Sequence, residues 1–269
     1  MSSRSPRVKA ARQLAKRAFR ERGRAFLAEG PQAVREALAL PGVLTELFVT
    51  APGRGRHPEL ADEAARQGIA VHEVSGEVMA ELGQTITPQG LLGVCAFVDV
   101  PLDSVLAARP RLVTLLANVR DPGNAGTVLR TADAAGADGV VFAAASVDPY
   151  NSKCVRSSAG SLFHLPVVAG SPLEEAIGAL RSAKLQVLAA DGSATKFVDS
   201  AEDGPDLARP TAWLFGNEAW GLPDSLLALA DDVVAVPIYG KAESLNLAAA
   251  AAVCLYASAR ALRAANFEC

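Results

Sequence analysis

Cysteine and histidine are scarce in this chain, with four of the first and three of the second among 269 residues. Cys95, Cys154, Cys254 and Cys269 stand far apart, form no C-x-x-C pair and lie near none of the histidines. Zinc sites draw on closely spaced ligand pairs and small secreted scaffolds on dense cysteine, so neither a metal centre nor a disulfide framework is expected. The cysteines read as small buried hydrophobes, with Cys269 an incidental terminal thiol. Aromatic residues amount to 5%, which argues against base stacking as the evident mode of nucleic-acid recognition. A membrane span needs about 20 strongly apolar residues. The nearest approach, SLNLAAAAAVCLYASA, is 16 uncharged residues closed off by Arg260 and Arg263, and reads as a buried soluble helix with no membrane role. The N-terminus has no apolar core of the secretory kind, so a cytoplasmic location is expected.

Half of the residues are apolar and a fifth are charged, the balance of a soluble globular protein with a sizeable core. The length favours two units, since domains most often hold about 100–150 residues. The net charge of -3 conceals an asymmetry. Residues 1–24 hold nine Lys/Arg and one acid, or +8, which leaves -11 for the rest. A basic arm on an acidic body suggests attraction to a polyanion. Arg7, Lys9, Arg12, Lys16, Arg17, Arg20, Arg22 and Arg24 are its candidate phosphate contacts.

After the arm, PQAVREALAL and HPELADEAARQG read as helices and VLTELFVT, IAVHEV and LLGVCAFVDV as strands. These make a small α/β unit over residues 1–98. PLDSVLAARP, with two prolines, supplies a linker over 99–110. The alternation then resumes through residues 111–269: strands at 111–117, 138–143, LQVLAA, TAWLF and DVVAV, helices at 124–135, around 152–160 and at 172–183, and a long helix from Ser244 to about Ala264. Repeated βα units favour a parallel sheet, with ligands at the carboxyl ends of its strands.

Three stretches carry chemistry. In NVRDPGNAGTVLRTADAAG the pair Gly123 and Gly126 lacks the third glycine of a dinucleotide loop and the GK[ST] ending of a P-loop. Asn124 is placed as a helix N-cap after the turn formers Asp121 and Pro122. Arg130 projects away from the apolar face of that helix, and spacing alone makes it a solvated surface charge. In WLFGNEAWGLP a strand ends at Gly216 and turns through Gly221 and Pro223, a candidate binding loop whose glycines let a ligand approach the backbone closely. In VPIYGKAESLNLAAAAAVCLY a strand ends at Pro237 and Gly240. Ser244 is a good N-cap for the long helix, whereas Asn246 is poorly suited to a first turn.

Together and in order, these stretches resemble the three motifs of the SpoU family of RNA 2'-O-ribose methyltransferases, within the knotted SPOUT superfamily. The matching residues are Asn124 and Arg130; Gly216, Asn217, Glu218 and Gly221; and Pro237, Gly240, Ser244, Leu245 and Asn246. The resemblance covers residues 111–260 closely, and NSKCVRSSAGSLFHLPV resembles the family's segment between motifs. Residues 1–98 more loosely resemble the RNA-binding domain ahead of many SpoU enzymes, a small α/β fold shared with some ribosomal proteins. The resemblance implies an α/β fold with a C-terminal trefoil knot and parallel sheet, a homodimer, and methyl transfer from S-adenosylmethionine to a ribose 2'-hydroxyl of structured RNA. Ribosomal RNA is the expected target. The same chemistry on tRNA, or an inactive RNA-binding relative, would carry the same motifs.

The implied catalytic set is Arg130, Asn124, Glu218, Ser244 and Asn246, and the implied cofactor-binding set is Gly216, Val236, Ile238 and Leu245. Arg156, on the segment between motifs, is a further candidate contact to RNA phosphate. A guanidinium stays protonated at any ordinary pH, so Arg130 suits charge stabilisation better than proton removal.

Overall fold

Strands and helices are interleaved in the computed structural model, which describes residues 2–83, 85–200 and 203–265; Cys269 lies outside them. The chain divides into two compact units, Met1–Val98 with Tyr150–His164, and Asp99–Pro149 with Leu165–Cys269.

The first unit opens with α1 (Pro6–Gln13) and α2 (Arg17–Gly23), followed by β1 (Ala25–Glu29), α3 (Pro31–Ala39), β2 (Leu44–Val49), α4 (Ala51–Arg56), α5 (Pro58–Arg66), β3 (Ala70–Glu73), α6 (Gly76–Leu82) and β4 (Leu91–Ala96). Proline in the first turn starts α1, α3, α4 and α5, where the missing N–H costs nothing. The Thr50 and Ser75 side chains cap α4 and α6. The sheet order is β1-β4-β2-β3, with β4 antiparallel to both neighbours and β2 parallel to β3. Val8 and Ala11 of α1 are buried in a core with Leu27, Phe48, Val78, Met79 and Leu82. Helices α1 and α2 of the expected basic arm are therefore a folded part of the unit.

The second unit begins where a linker was expected. Residues 102–107 form α7 (Leu102–Ala107), and Val105 is buried in the core with Val100, Leu102 and Leu106 packed beside it. Apolar residues at 102, 105 and 106 have the i, i+3, i+4 spacing of a helix face, a signal that the flanking prolines masked. Next come β5 (Leu112–Leu116), α8 (Pro122–Ala135) and β6 (Gly139–Ala143).

At Tyr150–His164 the chain returns to the first unit, with α9 (Ser152–Ser157). The Tyr150 ring stacks on Phe97 at 3.8 Å between centroids, and its hydroxyl accepts from the Val98 N–H. Phe163 stacks on Phe26. These rings explain why a segment read as part of the second half belongs to the first unit.

The remaining elements are β7 (Val167–Ser171), α10 (Leu173–Ser182), β8 (Gln186–Ala190), the two-residue β9 (Lys196–Phe197), β10 (Thr211–Phe215), α11 (Asp224–Leu227), β11 (Asp232–Ala235) and α12 (Leu247–Ala265). Every pairing in the seven-stranded sheet is parallel, in the order β7-β6-β5-β10-β8-β11-β9. β5, β6 and β10 are buried at every position, as strands covered on both faces must be. Helix α12 buries one face, Ala248, Ala251, Cys254, Leu255, Ser258, Ala259 and Leu262, and Trp213 Nε1 donates to Ser258 Oγ at 2.8 Å. Its other face leaves Val253 and Tyr256 exposed, so the helix expected to be buried is buried on one side only. Among the described residues it is the one helix long and apolar enough to cross a membrane, yet it packs on α8 and β10.

Candidate active site

Asp121, and not Asn124, caps α8. Its carboxylate accepts from the Asn124 N–H at 2.8 Å, and Pro122 occupies the first turn. Asn124 sits inside that turn, so its side chain is free to reach outward. Its Nδ2 donates to Glu218 Oε1 at 3.2 Å, and its Oδ1 accepts from Asn246 Nδ2 at 3.0 Å. One asparagine thus ties together three loops separated by about 90 and 120 residues of chain.

Glu218 also accepts from the backbone N–H groups of Arg120 at 3.1 Å and Asp121 at 3.0 Å. Its carboxylate lies at the N-terminus of α8, where unpaired N–H groups and the helix dipole favour a negative charge. Partial burial raises its pKa. The N–H groups of Arg120, of Glu218 itself and of Asp121, with the Asn124 amide, outweigh that and hold it below the ordinary carboxylate value. Glu218 is therefore an ionised carboxylate that fastens one loop to the start of a helix.

The loop that carries Glu218 is shaped by its glycines. Asn217 and Gly221 exchange backbone hydrogen bonds at 2.9 and 3.0 Å, closing residues 218–220 into a tight turn. Gly221 has φ of 65°, a left-handed conformation that disfavours any side chain. A Cβ on Gly216 would lie 2.6 Å from the Gly221 backbone, so only glycine lets β10 run into this turn. Asn217 Nδ2 donates to the Asn118 carbonyl at 2.8 Å, and its Oδ1 accepts from the Ala219 N–H.

Helix α12 starts at Leu247, three residues later than expected. Asn246 provides its cap, its Oδ1 accepting from the Ala248 N–H at 2.9 Å. Asn246 suits the position because it lies ahead of the first turn, and Ser244 is left in the preceding loop, exposed.

The loops that carry Glu218 and Asn246, with the turn after β8, surround a cavity of about 770 Å³ at the carboxyl ends of β8, β10 and β11, within the roughly 300–1,000 Å³ usual for small-molecule sites. Gly216, Val236, Ile238, Leu245, Glu218, Ser244 and Asn246 all line it. Asn124 joins them through its hydrogen bonds. Arg130 does not line it; it is exposed on α8, six residues beyond Asn124, or about 9 Å along the axis at 1.5 Å per residue. The sequence reading missed the wall after β8, Ala190 to Ser193, where Asp191 Oδ1 accepts from the Ser193 N–H at 2.9 Å. It also missed Trp220. Nothing in the composition flags such a wall, which depends on β8 lying between β10 and β11.

The expected phosphate contacts in residues 1–24 fare differently from one another. Arg20 is buried, and its Nη1 donates to the Leu14 and Ala15 carbonyls at 2.9 and 3.0 Å; it is a structural residue, and its candidacy as an RNA contact is withdrawn. Arg7, Arg12 and Arg17 pair with Glu46, Glu81 and Glu21, and Arg24 lies over the Phe97 ring. Lys9, Lys16 and Arg22 are exposed. Arg156, on α9, lies 3.5 Å from the Glu29 carboxylate, whose side chain is 7% exposed.

A parallel α/β sheet with a small-molecule cavity at the carboxyl ends of its strands, walled by the glycine-bearing loops that follow β8, β10 and β11, defines the class of a cofactor-binding enzyme. Comparison narrows the class. Residues 111–256 match the model of the SpoU rRNA Methylase family, and residues 5–93 match the MRM3-like substrate binding domain. The chain is 35% identical to the 23S rRNA (guanosine(2553)-2'-O)-methyltransferase RlmP of Bacillus subtilis, over 95% of this chain and 96% of that protein. It is similar to the AdoMet-bound rRNA methyltransferase from Sinorhizobium meliloti (TM-score 0.83, 32% identity, 97% of each chain) and to the SpoU methyltransferase AviRb from Streptomyces viridochromogenes (TM-score 0.83, 27% identity, 97% of this chain and 99% of that one). The chain belongs to the SpoU family of rRNA methylases.

Proposed function

We propose that this protein transfers a methyl group from S-adenosylmethionine to a ribose 2'-hydroxyl of 23S-type ribosomal RNA. The observation that carries the reading is the Glu218–Asn124–Asn246 network, which ties two loops of one cavity to the start of α8 through an ionised carboxylate. The similar Bacillus protein is named for this reaction, and the similar Sinorhizobium structure holds AdoMet.

S-adenosylmethionine supplies an electrophilic methyl group. The residues of this chain suit it: Gly216, Val236, Ile238 and Leu245 offer backbone groups and apolar surface for its nucleoside, and the carboxylates of Asp191 and Glu243 on the same cavity suit a ligand carrying positive charge. Glu218, Asn124 and Asn246 hold the loops in register, and Ser244 meets the ribose. Arg130 faces solvent, so it meets the ribose from the RNA side and stabilises negative charge developing on the 2'-oxygen beside a phosphate. The proton leaves to solvent or to that phosphate.

The first unit is the RNA-binding part on this reading, using Lys9, Lys16, Arg22 and the partly exposed arginines, with Arg156 on its own face and a fold of the kind some ribosomal proteins share. The exposed face of α12, with Val253 and Tyr256, is the homodimer surface, and the C-terminal segment through α12 completes the trefoil knot. The cytoplasm is the setting, since that is where ribosomal RNA is met. No metal takes part. The test is transfer of labelled methyl from S-adenosylmethionine to unmodified 23S rRNA transcript, with the modified ribose mapped. Cofactor binding with no transfer to 23S rRNA overturns the reading, and transfer to tRNA alone overturns its substrate.

A further inference from the structure

Trp220 is 64% exposed in a protein with two tryptophans, and it stands on the wall of the cavity, two residues from Glu218. Loose exposed tryptophans occur on mobile loops, but this one is held. The Asn217–Gly221 backbone pair closes the turn, Gly216 and Gly221 permit it, and Glu218 fastens it to α8. The indole is thus presented to solvent on a hydrogen-bonded turn on the wall of the cavity. The same wall carries the acids Asp191, Glu218 and Glu243. Beside them the indole offers an RNA a π-face, which takes a base without regard to sequence.

We infer that Trp220 is the stacking platform for the nucleobase of the nucleotide being methylated, setting the ribose of that nucleotide over the cavity. The inference rests on the methyltransferase reading and adds to it the residue that seats the target. The low aromatic content excludes stacking as the general mode of RNA binding, and one platform at the reacting nucleotide is compatible with that, the remaining affinity coming from charge.

Two measurements on the full-length protein test it. The first is methyl transfer to 23S rRNA transcript by wild type, Trp220→Ala and Trp220→Phe, with S-adenosylmethionine affinity measured by calorimetry. The expected result is a 10- to 100-fold lower kcat/KM for RNA in the alanine variant, about the worth of one stacked base, recovery in the phenylalanine variant, and cofactor affinity within twofold of wild type. Undiminished kcat/KM, or a loss tracking cofactor affinity, overturns the inference while leaving the methyltransferase reading intact. The second measurement is independent of turnover. Trp213 is fully buried, so bound 23S rRNA transcript should quench the wild-type emission from Trp220, and the quench should vanish in Trp220→Phe. RNA that binds without quenching overturns the inference even if no methyl is transferred, and absence of transfer by wild type is what overturns the reading beneath it.

Discussion

In the first 24 residues most arginines are held by a group of their own: Arg12 by Glu81, Arg17 by Glu21, Arg20 by two carbonyls, Arg24 by the Phe97 ring. Around the cavity of the second unit the order is reversed, and a carboxylate, Glu218, is held by neutral donors from Arg120, Asp121 and Asn124. A solvent-exposed ion pair is worth about 0–1 kcal/mol and cancels its own charge. A carboxylate bound by N–H dipoles keeps its full charge and gains a fixed position. A run of charge along a sequence is therefore a poor measure of the field a fold presents, and a single well-placed acid can organise more structure than a run of bases.

The sharpest break in this comparison is Arg130, the one cation among the motif residues. If it stabilises charge in the reaction, Arg130→Ala lowers kcat by roughly 10²–10³, the usual loss for one such donor, while S-adenosylmethionine affinity and thermal stability stay at wild-type levels. Exposure on α8 makes the structural cost of that change small. Single-turnover methyl transfer reads it. Wild-type turnover in the alanine variant removes Arg130 from the mechanism.

Next in size is Gly216→Ala. Its Cβ would press on the Gly221 backbone at 2.6 Å and on Leu222 Cγ at 2.7 Å, neither of which can swing aside as a flexible side-chain end could. The expected cost is about 1–3 kcal/mol of stability, seen as a lower melting temperature, with weaker cofactor binding because the Glu218 turn shifts. Gly240→Ala is the control: nothing lies within 4 Å of the added Cβ, so it leaves the melting temperature unchanged although Gly240 belongs to an equally recognisable motif.

What was legible in the sequence follows from the same physics. Strands such as TAWLF and helices such as PQAVREALA were readable because burial on one or two faces writes a local pattern. The candidate residues were picked out by order and spacing of three loops, and Gly216, Val236, Ile238, Leu245, Glu218, Ser244 and Asn246 line one cavity. The capping roles were not readable. Asp121 and Asn124 are both good caps, and so are Ser244 and Asn246; only the tertiary hydrogen bonds to Glu218 and between the asparagines decide which residue caps and which reaches out. The membership of Tyr150–His164 in the first unit was equally hidden, because it depends on aromatic contacts to Phe26 and Phe97 more than 50 residues away.

Arg20 and its neighbours give the last and smallest effects, and they separate the two uses of charge within one segment. Arg20→Ala removes the donor to the Leu14 and Ala15 carbonyls in a part-buried site, which costs about 1 kcal/mol and lowers the denaturant midpoint of the first unit. The combined change of Lys9, Lys16 and Arg22 to alanine removes three exposed side chains and shifts stability by no more than about 0.5 kcal/mol each. Its effect falls on RNA instead. Each phosphate contact contributes about 0.7–0.9 to the slope of log affinity against log salt, so losing three flattens the slope by about 2–3 and weakens binding at low salt far more than at high salt. A filter-binding series from low to high salt reads the slope directly. An unchanged slope in the triple variant would move the RNA-binding face away from α1 and α2, and a flattened slope in Arg20→Ala at full stability would return that buried arginine to the RNA.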